Sequence, residues 1–216
     1  MPRPHIKWIF WDNDGVLVDT EALYFRANQE ILSSIGIGLT FECFTRISMK
    51  EGRSTFILAE EKGIDPKAIQ RLHEARNQRY SELLSHGVRV MDGVRETLEH
   101  LSGKISMGVV TSCRRVHFDL IHKSTGLMKY FDFVITNEDV RRTKPDPEPY
   151  LKALGKSGCR ASECFVIEDA ERGLNAAKAA GIKCMVIPNG FTSQGDFSDA
   201  YRILENIHQV VEEVLG

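Results

Sequence analysis

The sequence is short of paired cysteines and of long apolar runs, and both shortages narrow the class of protein. Five cysteines are scattered along the chain without any Cys-x-x-Cys spacing, which argues against a zinc site, a redox motif or a disulfide scaffold. We interpret them as reduced thiols and expect a cytoplasmic protein. The first five residues lead into only about six apolar residues, too few for a signal sequence or a membrane span. No membrane partner is expected.

The chain also lacks an excess of charge of one sign. It carries 28 Lys and Arg residues against 30 Asp and Glu residues, a formal net charge of −2. Such a balance supplies no general attraction to nucleic acid or to an anionic membrane, so any affinity for phosphate must come from a local site. We therefore expect a small-molecule partner and no nucleic acid.

The chain does have 216 residues, enough for roughly one and a half typical domains. Short apolar runs rich in β-branched and aromatic residues predict buried strands, and amphipathic patterns between the later ones predict helices. The predicted strands are residues 6–11, 105–111, 131–136, 164–168 and 183–188. Their alternation with helices indicates right-handed parallel crossovers and an α/β fold with a doubly wound, Rossmann-like parallel sheet.

The spacing of strands is interrupted once, between the first strand and the second. Residues 21–35, 52–62 and 65–84 show helical patterns there, and they account for the extra half domain. We interpret residues 19–88 as an inserted α-helical cap domain. Residues 1–18 and 89–216 then form the Rossmann-like core domain.

Polar side chains cluster where the predicted strands end, and ligands of doubly wound sheets bind outside those carboxyl ends. The candidates are Asp12, Asp14, Thr111, Ser112, Lys144, Glu168 and Asp169. Each has an ordinary alternative, namely an Asp-Gly turn, a hydroxyl that caps the next helix, a solvated lysine or an acidic helix start. Together they bring carboxylates, a hydroxyl and a lysine to one edge of the sheet, which none of those alternatives requires.

Such a set suits phosphoryl transfer. A phosphate dianion needs Mg²⁺ on carboxylate oxygens, a lysine, and hydroxyl or backbone N–H donors for its oxygens. One carboxylate can attack phosphorus to form an aspartyl phosphate, while a second protonates the leaving oxygen. Asp12 and Asp14 are spaced for these two tasks, because alternation in an extended segment turns both carboxylates to the same side.

The motifs resemble those of the haloacid dehalogenase-like superfamily, in its branch of phosphatases and β-phosphoglucomutase-like proteins with a small helical cap. The segment Asp-Asn-Asp-Gly-Val-Leu-Val-Asp-Thr-Glu at 12–21 is similar to the family's first motif and Thr111 to its second. Lys144 in Lys-Pro-Asp-Pro is similar to the third motif, and Glu168 with Asp169 to the fourth. The resemblance covers essentially the whole chain with the motifs in order.

The resemblance implies a role for each of these residues. Asp12 would be the nucleophile and Asp14 the general acid and base. The phosphoryl oxygens would be held by Thr111, the backbone N–H of Ser112 and Lys144. Mg²⁺ would be held by the Asp12 carboxylate, the Asp14 backbone carbonyl and Asp169, with Glu168 supporting its water shell.

The resemblance also orders the possible activities. Dehalogenating relatives lack an Asp two residues after the nucleophile, so Asp14 favours a Mg²⁺-dependent phosphatase of small phosphorylated metabolites such as sugar phosphates. A sugar-phosphate mutase is the alternative, although mutase relatives carry His where this chain has Tyr24. A non-catalytic phospho-acceptor of the receiver type is a third reading, but receivers are about half this length and place the acceptor on a middle strand.

Substrate specificity is expected to come from the cap, because the core side chains contact only the phosphoryl group. Arg46, Lys50 and Arg53 cluster where a cap loop would face the cleft, and such cations bind hydroxyls or a second acidic group. Tyr24, Lys50 and Arg53 are therefore the candidate substrate-binding residues of the cap. A solvated basic surface, and for Tyr24 an apolar helix stripe, are the structural alternatives.

Overall fold

The computed structural model describes residues 6–216, and residues 1–5, which we assigned to the core domain, lie outside the described residues. The strands are β1 Trp8–Trp11, β2 Val18–Asp19, β3 Arg89–Val90, β4 Ser106–Val110, β5 Phe133–Ile135, β6 Cys164–Glu168, β7 Lys183–Val186 and β8 Arg202–Ile203. Six of them form one parallel sheet in the order β5-β4-β1-β6-β7-β8. The prediction of a doubly wound parallel sheet is confirmed.

Helices pack against the sheet, and helices also form the segment inserted after β1. Between β2 and β3 lie α1 Glu21–Ser33, α2 Phe41–Phe44, a π-helix Thr45–Lys50, α3 Ile57–Glu60 and α4 Pro66–Ser85. After β3 come α5 Val94–Leu101, α6 Arg115–His122, α7 Glu148–Ser157, α8 Glu171–Ala179 and α9 Gln209–Leu215, with short 3₁₀ turns at Met128–Tyr130, Asn137–Asp139 and Ala161–Glu163. Within residues 6–216, none of these helices is both long enough and apolar enough to cross a membrane.

The predicted helix over residues 52–62 is wrong for most of its length. Gly52 has a φ of 64°, a left-handed conformation that a helix cannot continue through. Ser54 then accepts a hydrogen bond from the backbone N–H of Phe56, and this local turn competes with helix formation. Helix α3 therefore begins only at Ile57.

Strand β1 divides the apolar core because its side chains alternate between the two faces of the sheet. Ile9 and Trp11 belong to one buried cluster and Phe10 to the other. A third, separate cluster lies among the inserted helices around Leu32 and Phe44. The short antiparallel pair β2–β3 holds the two connections to these helices side by side.

Candidate active site

The register of the sheet brings the predicted strand-end residues together. Trp11 pairs with Val109 of β4 on one side and with Ile167 of β6 on the other. Residues that follow these positions therefore emerge at the same edge. Asp12 is buried at this edge and lies at the centre of the site.

Lys144 is buried against two carboxylates. Its Nζ lies 2.8 Å from Asp12 Oδ1 and 2.6 Å from Glu168 Oε1, and it donates to the backbone carbonyl of Val110 at 2.6 Å. Burial opposes the charge of Lys144, but the two carboxylates outweigh it and raise the pKa. The alternative of a solvated lysine is therefore wrong, because this side chain is 3% exposed and holds Asp12 in place.

Asp14 accepts two hydroxyl hydrogen bonds. Thr20 donates to Oδ1 at 2.6 Å, and Thr111 donates to Oδ2 at 3.2 Å. Burial, and next the charge of Asp12, raise the pKa of Asp14 above its ordinary value. A carboxyl in this position retains its proton to a higher pH and can donate it.

Thr111 does not cap the helix that follows. Its Oγ1 accepts from the backbone N–H of Cys113 at 2.9 Å, and α6 begins only at Arg115. The helix-cap alternative is therefore wrong for this residue. Ser112 lines the same cavity, and its buried Oγ has no hydrogen-bond partner within residues 6–216.

Three buried carboxylates converge beside Lys144. Oxygens of Asp12, Glu168 and Asp169 lie within 4.8 Å of one another, a donor set suited to a hard cation. Burial and the charge of Asp12 raise the pKa of Glu168 to about 7, and burial with the Glu21 carboxylate raises the pKa of Asp169. This mutual repulsion is what a bound divalent cation would relieve, so these residues fit a metal. The Asp14 carboxylate is not part of this cluster.

Glycine permits the close packing of Glu168. A Cβ on Gly173 of α8 would come within 2.0 Å of the Glu168 carboxyl carbon. On its other side, Glu168 accepts a hydrogen bond from the hydroxyl of Tyr150 at 2.5 Å. Gly15 has the same function near Asp169, since a Cβ there would lie 2.4 Å from Asp169 Oδ2.

Two residues of this site were missed by the sequence analysis. The Nδ2 group of Asn189 donates to Asp169 Oδ2 at 2.9 Å and to Glu21 Oε1 at 3.2 Å. Asn189 follows β7, so the rule that polar residues after strands belong to the site would have found it. Glu21 lies within the first motif, at the start of α1, but carries no signal that separates it from a helix-start carboxylate.

A buried histidine supports the loop between Asp12 and Asp14. His122 Nε2 lies 2.7 Å from Asn13 Oδ1, and its Nδ1 lies 2.9 Å from Thr125 Oγ1. Burial lowers the pKa of His122 to about 4, so the ring is neutral at physiological pH. It holds the Asn13 side chain at 0% exposure, directly beside the two aspartates.

A cavity of about 400 Å³ opens over these residues and is lined by both core and inserted helices. Tyr24 and Arg53 line it, as expected. Lys50 does not, because it lies at the end of the π-helix and borders a separate small pocket with Phe191. Arg46 also lies outside the cavity and pairs with Glu51 at 3.0 Å.

Comparison with known proteins agrees with this arrangement. The family model of haloacid dehalogenase-like hydrolases matches residues 9–187. A phosphorylated carbohydrates phosphatase of Thermotoga maritima is 35% identical over 81% of this chain and 82% of its own length. The fructose-1-phosphate phosphatase of Escherichia coli is 26% identical over 81% of this chain and 92% of its own length.

The fold is also found in a solved structure. CbbY from Rhodobacter sphaeroides, crystallised with phosphate, superimposes with a TM-score of 0.80 at 24% identity, covering 95% of this chain and 96% of that one. The match to the family model spans β1 to β7 and so includes Asp12, Asp14, Thr111, Lys144, Glu168 and Asp169. The chain belongs to the haloacid dehalogenase-like hydrolases.

Proposed function

We propose that this chain is a Mg²⁺-dependent phosphatase that hydrolyses small phosphorylated metabolites, in particular sugar phosphates. The observation that carries the proposal is the pairing of Asp12 and Asp14 in different environments. Asp12 is held by Lys144 at 2.8 Å, whereas Asp14 is half-buried and has a raised pKa. The carboxyl group with the raised pKa can act as the acid, and the carboxylate held by the lysine can act as the nucleophile.

Asp12 attacks phosphorus and forms the aspartyl phosphate, and the bond between phosphorus and the leaving oxygen breaks. Asp14 gives its proton to that oxygen. Asp14 then takes a proton from water, which attacks phosphorus and releases phosphate with regeneration of Asp12. The hydroxyl of Thr20 keeps the Asp14 carboxyl oriented through both proton transfers.

Mg²⁺ would be held by Asp12, Asp169 and the backbone carbonyl of Asp14, with Glu168 supporting its water shell. When bound, it supplies positive charge to the phosphoryl oxygens. Lys144 supplies a second positive charge, and Thr111 with the N–H of Ser112 completes the set of donors. Asn189 orients Asp169.

The substrate class rests on two observations. Two curated relatives are a phosphorylated carbohydrates phosphatase and a fructose-1-phosphate phosphatase. A cavity of about 400 Å³ is at the smaller end of ligand sites, which suits a metabolite of this size.

The free thiols of all five cysteines support our expectation of a cytoplasmic enzyme.

We propose further that residues 19–88 act as a cap domain over this site. The separate apolar cluster around Phe44 supports a module of its own, and β2–β3 lies where the two connections would flex.

The mutase alternative is less favoured. In place of the mutase histidine this chain has Tyr24, whose hydroxyl accepts a hydrogen bond from the Arg76 guanidinium at 2.5 Å.

The test is release of phosphate from p-nitrophenyl phosphate and from a panel of sugar phosphates, with and without Mg²⁺. Asp12→Asn removes the nucleophile, and we expect a loss of at least about 10³-fold in kcat. Asp199→Asn, which changes an exposed carboxylate paired with Lys178, is the matched control and should retain activity. Equal activity of wild type and Asp12→Asn would refute the mechanism.

A further inference from the structure

The loop of residues 187–193, which follows β7, contacts both the buried carboxylates and the inserted helices. Its Asn189 side chain donates to the carboxylate cluster. Its Phe191 side chain packs against the apolar cluster of the inserted helices. Among the side chains that form or border that cluster within residues 6–216, Phe191 is the one that lies outside residues 19–88. The loop is therefore a direct link between the two parts of the molecule.

Aromatic rings of the inserted helices hold Phe191 in place. Its ring meets that of Phe41 edge-on with centroids 5.0 Å apart, and that of Phe44 edge-on at 6.2 Å. Phe25 of α1 completes the group, with its ring 6.0 Å from Phe41 and 5.0 Å from Phe44. Aromatic pairs favour such edge-on arrangements, so the position of Phe191 follows the position of helix α2.

Hydrogen bonds within the loop connect Phe191 to the Asn189 side chain. The backbone N–H of Phe191 donates to Asn189 Oδ1 at 2.8 Å, and the backbone N–H of Asn189 donates to Thr192 Oγ1 at 3.0 Å. The backbone N–H of Ser193 donates to the Asn189 carbonyl at 2.9 Å and closes the turn. Because Oδ1 is bound by the residue that carries the packed ring, a displacement of Phe191 changes the orientation of the Asn189 amide.

The other end of this amide is shared between two carboxylates. Asn189 Nδ2 donates to Asp169 Oδ2 at 2.9 Å and to Glu21 Oε1 at 3.2 Å. Asp169 belongs to the cluster whose oxygens fit a metal ion, whereas Glu21 begins α1. The amide group is planar and both of its ends are occupied. Its orientation therefore determines where the Asp169 carboxylate is held.

We propose that Phe191 is a positioning residue for the Mg²⁺ site and that it acts through Asn189. While its ring packs against Phe41 and Phe44, the Asn189 amide holds Asp169 in place for the metal ion. This inference rests on the proposed Mg²⁺-dependent function and adds a determinant of metal affinity outside the cavity, since none of these three phenylalanines lines it.

The test is calorimetric titration of the protein with Mg²⁺ alone, which measures metal affinity without a substrate. Asn189→Ala removes the amide and should raise the dissociation constant by about 10- to 100-fold. Phe191→Ala acts one residue further from the metal, and we expect a rise of about 3- to 10-fold. At saturating Mg²⁺, the kcat of Phe191→Ala should stay within about 2-fold of the wild type, because Asp12 and Asp14 are unchanged.

Two substitutions at Phe191 and Phe131 separate positioning from packing. Phe131→Ala is the matched control, because Phe131 is also half-buried but packs against the apolar core outside the cavity. It should lower the unfolding temperature and leave the dissociation constant for Mg²⁺ unchanged. Phe191→Tyr keeps the ring and should retain the wild-type affinity. If Phe191→Ala lowers only the unfolding temperature, Phe191 is a packing residue and the inference is overturned.

Phe41→Ala tests the same contact from the other side. Phe41 is 46% exposed, so its truncation should leave the protein folded even if Phe191→Ala does not fold. It should weaken Mg²⁺ binding in the same direction as Phe191→Ala. Leu151→Ala is its control, because Leu151 is 50% exposed on α7. Equal Mg²⁺ affinity in the wild type and Phe41→Ala overturns the contribution of the inserted helices.

A double variant tests whether the effect passes through Asn189. Contacting residues that act on one site are not additive, so adding Phe191→Ala to Asn189→Ala should raise the dissociation constant no further. A further rise as large as that of Phe191→Ala alone overturns the inference.

These outcomes separate the inference from the function beneath it. If the wild type binds Mg²⁺ but hydrolyses no phosphate ester, the phosphatase proposal fails, and the titrations still decide the role of Phe191. If the wild type releases phosphate equally with and without Mg²⁺ and binds none, hydrolysis stands and the inference is overturned.

Discussion

The two walls of the cavity differ in the charged groups that line them. On the core wall, four carboxylates and one lysine lie beyond the carboxyl ends of parallel strands, and they are bound to one another, to hydroxyls or to the amide of Asn189. On the wall formed by the inserted segment, the lining contains two arginines, a histidine and two tyrosines, and its one carboxylate within the described residues is Glu21 at the start of α1. The core wall carries the groups that the proposed mechanism assigns to a cation and a phosphoryl group, and the other wall carries side chains that would contact the remainder of the substrate.

Because the two walls differ in this way, catalytic activity and substrate selectivity can change independently. The core groups are coupled, since Asp12 contacts Lys144 and Lys144 contacts Glu168. A substitution among these core groups should therefore lower the activity toward every substrate to a similar degree. From the inserted segment, Thr20 donates to Asp14, and Glu21 shares the Asn189 amide with Asp169. Substitutions of the other side chains of the inserted helices should redistribute preference among substrates.

Removal of Lys144 should give the largest effect. Lys144→Met leaves Asp12 and Glu168 buried without their counter-charge, which should lower the free energy of unfolding by about 3–5 kcal/mol. Activity should be lost for all substrates to a similar degree. Denaturant unfolding and phosphate release measure the two effects.

Lys152→Met on the neighbouring helix α7 is the control for that experiment. Lys152 is half-exposed and pairs with the Asp139 carboxylate. Its substitution should therefore lower the free energy of unfolding by about 1 kcal/mol or less. The contrast between the two walls breaks down if Lys144→Met retains activity toward one substrate and loses it toward another.

A smaller effect is expected where glycine packs on Glu168. The new methyl group of Gly173→Ala would clash with the Glu168 carboxylate, displace it and weaken Mg²⁺-dependent activity by about 10- to 100-fold. Gly155→Ala in α7 is the matched control, because a Cβ there meets open space and should stabilise the helix by up to about 1 kcal/mol. Equal Mg²⁺ titration curves for both variants would contradict the supporting role of Glu168.

The smallest effect concerns Thr20, the contact between the two walls. Its hydrogen bond favours the charged form of Asp14, so it lowers a pKa that burial and Asp12 raise. Thr20→Val should therefore raise the pKa of Asp14 further, and the acid should remain protonated to higher pH. We expect the alkaline limb of the pH profile of kcat/KM to move to higher pH.

Thr97→Val is the control for this profile, since Thr97 is buried in α5 outside the cavity and its hydroxyl has no partner within residues 6–216. It should leave the limb in place. A limb that moves to lower pH in Thr20→Val would show that Asp14 is not the acid.

The main strands could be predicted because their signal is local. Buried apolar runs locate β1, β4 and β6 to within two residues or better. Strands β2, β3 and β8 have two residues each and carry no periodicity, so they form only where a partner strand arrives. The π-helix at Thr45–Lys50 likewise has no pattern of its own.

The order of strands and helices and the identity of the polar residues at the strand ends can be derived from the sequence, because both depend on spacing within a few residues. Which charges are neutralised depends on the folded arrangement. Lys144 and Arg76 are similar in sequence terms, each a cation at or near a helix. Folding brings Asp12 and Glu168 to Lys144 from distant strands and brings only neutral groups to Arg76. Burial and long-range contact set the electrostatics of a site, and neither is encoded in local spacing.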